Sequence, residues 1–290
     1  MTARQRVLVL GGHGRLGRRL CPRLVEAGWE VLAPPHAELD VGVRMAQRDA
    51  LFAVLGAFRP ALVLSLAGYT DVPGCETNPD RAEAGNVQAA HASADLCAMQ
   101  RTPFCWVSTD YVLAGSCCPA PPSLSPLAFG RIRLAGGGVY AESKASGESW
   151  VTKCGGVVAR VAFACPEDTE RWRWVDGYGM ASREWVGRTA ERLTLLAGLV
   201  ARREVVAGTV LHVGPLPAEA SPLGLWRTHR DLLAARYPSH PALQRVAYSP
   251  AERAAYGGNA APGDTRFAEC DARLELTTRD DGRRDDGRSL

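Results

Sequence analysis

The sequence predicts an α/β protein built on a doubly wound parallel sheet. Short apolar runs alternate with longer helical patterns, the alternation persists to about residue 165, and a glycine-rich turn follows the first run. That run, residues 6–10 (RVLVL), is apolar on both sides, as a strand covered on both faces requires. Further strands are expected at residues 29–33, 61–66, 104–108 and 157–163, with a sixth at 210–213. Between them, residues 16–27, 44–58, 79–100 and 139–154 space their apolar side chains as helices do.

Residues 113–138 are rich in Pro, Ser and Gly and read as a long loop near the strand ends, placed to act as a lid. Beyond residue 165 the alternation weakens, and helical patterns at 182–203 and 221–237 suggest a smaller C-terminal substrate-side lobe. The expected organisation is a dinucleotide-binding-type domain over 1–165, a lobe over 166–276 partly interleaved with the sheet, and a charged, disordered tail over 277–290.

Composition narrows the function classes. With 290 residues, 46% of them hydrophobic and 22% charged, the chain can bury a full core. A net charge of +3 with dispersed arginines is too small for a nucleic-acid surface, so small-molecule partners are expected. No apolar run reaches the roughly 20 residues that span a bilayer, and residues 1–6 lack the apolar region of a signal peptide, so a cytoplasmic location is expected. Nine cysteines without metal-site spacing suggest reduced thiols and no metal. Only two lysines occur, Lys144 and Lys153, which gives weight to a lysine in a chemically useful position.

The turn after the first strand reads Gly11-Gly12-His13-Gly14-Arg15-Leu16-Gly17. Residues without Cβ atoms let the backbone bend tightly and approach a pyrophosphate, whose charge the N-terminus of the next helix stabilises. A strand before the turn and an amphipathic helix from Leu16 supply the context of a Rossmann-type nucleotide site. The second strand ends in Ala33-Pro34-Pro35-His36, without the acid that holds a ribose 2′-hydroxyl in NAD sites. His13, Arg15 and Arg18 are near enough in sequence to pair with a 2′-phosphate, so NADP(H) is favoured over NAD(H).

Tyr140 and Lys144 are four residues apart and share one face of a helix. An ammonium beside a phenol favours phenolate and lowers the tyrosine pKa, which suits proton transfer. At the end of the fourth strand, Ser108-Thr109-Asp110 presents hydroxyls at the carboxyl edge of the sheet, where Thr109 can reach a substrate oxygen. Gly68-Tyr69-Thr70-Asp71 reaches the same edge after the third strand, placed to line the nicotinamide end of a cofactor.

Taken together, GGHGRLG (11–17), HAELDV (36–41), AGYTDVPGCETNPDRAEAGNV (67–87), VSTDYV (107–112) and YAESKASGE (140–148) resemble the dTDP-4-dehydrorhamnose reductase family of extended short-chain dehydrogenases. That family includes the non-catalytic regulatory subunit of methionine adenosyltransferase. The resemblance implies that Tyr140, Lys144 and Thr109 are catalytic, that Asp40 lies near the adenine, and that Ala67, Tyr69 and Asn86 help place the cofactor. It also implies hydride transfer to a ketone, usually C4 of a deoxysugar nucleotide, and allows a homodimer. Departures are Ala141 where the family reads glycine, a longer 109–140 loop, and only faint echoes of two later family segments at 175–179 and 266–269. The sequence reading is therefore an NAD(P)H-dependent reductase. Reduction of a non-sugar carbonyl or imine, or a non-catalytic NADP-binding subunit, stands as the alternative.

Overall fold

A computed structural model describes residues 4–41, 45–113, 138–165, 180–181, 184–214, 227–228 and 264–265. The long loop, the 175–179 and 266–269 segments, the charged tail and all of the 221–237 stretch but Arg227–Thr228 lie outside the described residues; those two residues, expected to be helical, are a strand instead, because they pair antiparallel with Met180–Ala181.

Six strands, β1 (Arg6–Leu10), β2 (Glu30–Leu32), β3 (Leu62–Ser65), β4 (Phe104–Thr109), β5 (Val157–Val161) and β6 (Val210–Val213), form one sheet in the order β2-β1-β3-β4-β5-β6. Every neighbouring pair is parallel. This is the expected doubly wound arrangement. The strand order reverses between β1 and β3, so the loops leaving their carboxyl ends diverge and open a crevice there.

Strand periodicity divides the core into two layers. Val7 and Val9 face one side with Leu20 and Leu24 of α1 (Gly17–Glu26), while Leu8 and Leu10 face the other with Leu51 and Leu55 of α2 (Met45–Phe58). Each fully buried leucine contributes about 1.5–3 kcal/mol. The second layer is completed by α5 (Ala89–Met99) and α6 (Gly138–Lys153).

A helix expected near 182–203 forms as α7 (Val186–Ala201) and packs on the main sheet. Its Val186, Ala190, Leu193 and Leu196 join the α1 side of the core, and β6 then pairs with β5. The apolar stripe of this helix matches an open sheet face, so burial drew it onto the sheet. Two short ladders lie outside the main sheet: Phe163–Ala164 with Glu184–Trp185, and Met180–Ala181 between Arg227–Thr228 and Asp264–Thr265.

The helix expected over 79–100 is also more structured than periodicity suggests. After α3 (Val72–Thr77) come α4 (Pro79–Ala82), a π turn (Glu83–Gln88) and then α5. The extra residue in the π turn directs Asn86 into the protein, where it is fully buried.

Candidate active site

The glycine turn occupies the β1 side of the crevice. Gly11 has φ +77°, and a Cβ there would lie 3.0 Å from the Ala67 backbone nitrogen, so the exits of β1 and β3 touch. A Cβ on Gly17 would run into the Gly12 carbonyl, because the start of α1 packs directly on the turn. The cradle therefore requires missing side chains, and its geometry fits a pyrophosphate at the start of α1. Gly17→Ala is expected to destabilise the chain by about 1–3 kcal/mol through this overpacking, read as a lower urea midpoint; an unchanged midpoint would refute the close approach.

Around the turn, Leu16 is buried while Gly14 and Arg15 are exposed. His13 joins the turn to β2 through Nε2 and the Ala33 carbonyl at 2.9 Å. His36 and Asp40 face one another beyond β2, with Nε2 and Oδ1 3.2 Å apart, and both are exposed enough to meet a ligand. Arg15 thus follows the carboxyl end of β1, and His36 and Asp40 follow that of its neighbour β2.

Asn86 ties the inner end together. Its Oδ1 accepts from the Tyr69 backbone N–H at 2.8 Å, and its Nδ2 donates to the Tyr69 carbonyl at 2.9 Å and to Ser143 Oγ at 3.0 Å. The side chain mimics a strand partner for Tyr69 while reaching α6, and each bond contributes about 1 kcal/mol. Trp106 donates its indole N–H to the Ala67 carbonyl at 3.4 Å. Ala67, Tyr69 and Asn86 are thereby fixed beside the crevice.

The start of α6 is held by a residue that the sequence reading did not single out. Glu76 Oε1 accepts the Val139 backbone N–H at 2.7 Å, placing a carboxylate at the positive end of the helix, one residue before Tyr140. Ser143 donates to the Tyr140 carbonyl at 2.9 Å, so the next turn is braced as well. Ser143 lies inside the YAESKASGE segment, whereas the Glu76 contact joins residues 63 apart and has no local signal.

Tyr140, Thr109 and Lys144 converge at the carboxyl end of β4. Tyr140 is buried edge-on to Tyr111, with ring centroids 5.5 Å apart. Burial pushes its phenol well above the ordinary value of 10; Tyr111, Asp110 and Cys75 add to the rise, while a hydrogen bond with Thr109 opposes it. Thr109 also donates to Asp110 Oδ1 at 3.1 Å and accepts from the Tyr111 N–H at 3.3 Å.

Lys144 Nζ donates to the Val107 carbonyl at 2.9 Å and lies 3.7 Å from the centre of the Trp106 ring. Burial lowers its pKa from 10.5 to about 7, an effect that Glu148 opposes. The expected lowering of the tyrosine pKa by the lysine is therefore reversed in this geometry. Desolvation sets the direction for the phenol, and the lysine Nζ is directed to the β4 backbone. The arrangement suits a protonated phenol that donates to a strongly basic oxygen.

The glycine cradle and the Tyr-Lys pair lie towards the carboxyl ends of strands of one sheet, and the RmlD substrate binding domain profile matches residues 5–167. The chain belongs to the RmlD family. This RmlD family member is 34% identical over 111 residues to dTDP-4-dehydrorhamnose reductase of Aggregatibacter actinomycetemcomitans, covering 38% of this chain and 36% of that protein. It is 36% identical over 113 residues to the Streptomyces griseus enzyme of the same name, covering 39% and 36%. The matched stretch thus spans well under half the length of these curated relatives. A crystal structure of dTDP-4-dehydrorhamnose reductase from Bacillus anthracis in complex with NADP superposes with a TM-score of 0.72 at 18% identity, covering 94% of this chain and 93% of that one. That likeness establishes a common fold. Among the described residues, no helix is long and apolar enough to cross a membrane.

Proposed function

We propose that this RmlD family member is an NADP(H)-dependent reductase that transfers hydride to a ketone, with a 4-keto deoxysugar nucleotide as its substrate. The observation that carries the proposal is the convergence of Tyr140, Thr109 and Lys144 at the sheet edge that also bears the glycine cradle. The NADP named with the Bacillus anthracis structure and the substrate named for the curated relatives support the cofactor and the sugar.

Gly11, Gly14, Leu16 and Gly17 would hold the pyrophosphate, with Arg15 and His36 at the 2′-phosphate, Asp40 at the adenine, and Ala67, Tyr69 and Asn86 towards the nicotinamide. The bound nicotinamide supplies the hydride. Thr109 orients the carbonyl oxygen through its hydroxyl. Tyr140, protonated at neutral pH because it is buried, donates its proton to the alkoxide, a much stronger base than phenolate. Lys144 would hold the ribose through its Nζ.

The test is NADPH oxidation, followed at the nicotinamide absorbance band, with dTDP-4-keto-6-deoxysugars and simple ketones or imines as substrates. Turnover of the sugars supports the full reading. The profile match stops at residue 167, which favours a second reading in which the substrate half accepts a non-sugar carbonyl or imine. Turnover of those compounds alone would select it. Tight NADPH binding without any turnover would identify a regulatory subunit and overturn the catalytic reading.

The cofactor preference has its own test. Arg15→Ala is expected to weaken NADPH binding about ten- to a hundredfold, the worth of a hydrogen bond to a charged group, with little change for NADH. Equal losses for both would remove Arg15 from the 2′-phosphate. A homodimer and a cytoplasmic location complete the proposal. The free cysteines among the described residues, including buried Cys75, Cys97 and Cys105, fit a reducing compartment, and sedimentation at micromolar concentration would read the dimer.

A further inference from the structure

One turn beyond Lys144 on α6, Glu148 is paired with Arg160 of β5, and both side chains are buried. Arg160 donates from Nε to both carboxylate oxygens at 3.0 and 3.2 Å and from Nη2 to Oε2 at 2.6 Å. Removing two charges from water costs several kcal/mol each, and a well-packed apolar pair often holds a helix to a sheet equally well. Fastening α6 to β5 therefore does not by itself account for a doubly charged clip.

The surroundings point to an electrostatic role. Tyr140, Lys144 and Glu148 recur every four residues on the buried face of α6. Arg160 sits in register between Ser108 of β4 and His212 of β6, and Ser108 adjoins Thr109. The titratable and charged groups along this face of α6 are Tyr140 and Glu148 on the helix itself, Asp110, Cys75 and Tyr69 beside Tyr140, and Arg160 on β5 beside Glu148, with His212 of β6 in register with Arg160. Glu148 is the carboxylate that acts on the lysine charge, favouring its protonated form. A buried carboxyl alone would take up a proton; Arg160 keeps it ionised.

We propose that the Glu148–Arg160 pair is a counter-charge assembly that raises the proton affinity of buried Lys144, and that Glu148 is thereby a positioning residue for the proposed catalytic set. The use of that lysine rests on the reductase reading. The charge relation itself does not.

The two-lysine composition makes the assembly directly measurable. In the full chain labelled with carbon-13 at lysine Cε, an NMR titration contains two lysine signals, and Lys153→Arg assigns the remaining one to Lys144. Glu148→Gln keeps the side-chain shape but removes the charge; it is expected to lower the proton affinity of Lys144 about tenfold or more. Glu148→Asp keeps the charge but shortens the side chain, and should leave the Lys144 midpoint near that of the parent. A merely structural clip predicts the reverse ranking, with Asp the more disruptive. An unchanged midpoint in the Gln variant, or a shift in Asp alone, would overturn the proposal.

If Glu148→Gln fails to fold with the Arg160 charge uncompensated, the double variant Glu148→Gln/Arg160→Met removes both charges and is read in the same way. Its Lys144 midpoint should fall below the parent value, and an unchanged one would again overturn the assembly. The titration needs neither substrate nor NADPH. Expected midpoints together with full activity of a Tyr140→Phe variant would remove the catalytic reading and leave the charge assembly standing.

Discussion

Tyr140→Phe is expected to reduce kcat by about 10²–10⁴ while leaving NADPH affinity within about fivefold, the worth of one hydrogen bond. The ring should remain in place. Its edge-on contact with Tyr111 and its packing near Cys75 and Ala82 do not use the hydroxyl, so Phe removes the proton donor without opening a cavity. Because burial holds the phenol protonated through neutral pH, wild-type activity should show no loss on the acid side from Tyr140 itself. Steady-state NADPH oxidation, together with NADPH titration by fluorescence, separates the two effects. Undiminished turnover would take Tyr140 out of the mechanism.

Lys144→Met is expected to act in opposite directions on function and stability. Turnover should fall by a comparable factor, because the ammonium that would hold the ribose is gone, while the folded chain gains a few kcal/mol at neutral pH. The gain arises because burial lowers the lysine pKa from 10.5 to about 7. Between those values the unfolded chain holds a proton that the native chain releases, so this group makes native stability rise with pH. Below about pH 7 both states are protonated and the burial penalty is fully present. The Met variant should therefore exceed the parent most at pH 6, less at pH 9, and not at all near pH 10.5. Loss of the Val107 hydrogen bond offsets about 1–3 kcal/mol of the gain. Thermal unfolding at pH 6 and 9 measures the difference, and a variant less stable than the parent at both would refute the penalty.

Much of the site was visible before any contact was known. Glycine at positions 11, 14 and 17 could be read because a tight turn and a close helix leave no room for side chains, a requirement expressed within seven residues. Tyr140 and Lys144 were legible because helical spacing places residues four apart on one face. The π turn was not, since Asn86 turns inward to meet Tyr69 and Ser143, residues 17 and 57 positions away. The partner of α7 was not legible for a related reason: its apolar stripe shows that it packs, but not against which surface.

By itself, then, the sequence determined the six strands of the main sheet, the glycine cradle and the shared helical face of Tyr140 and Lys144, because each depends on periodicity or sterics within a few residues. Only the tertiary structure decided which way the two pKa values move, that Glu76 caps α6, and that Glu148 meets Arg160 under the lysine. Those outcomes depend on desolvation and on charges that distant segments bring together, and neither is encoded in local spacing.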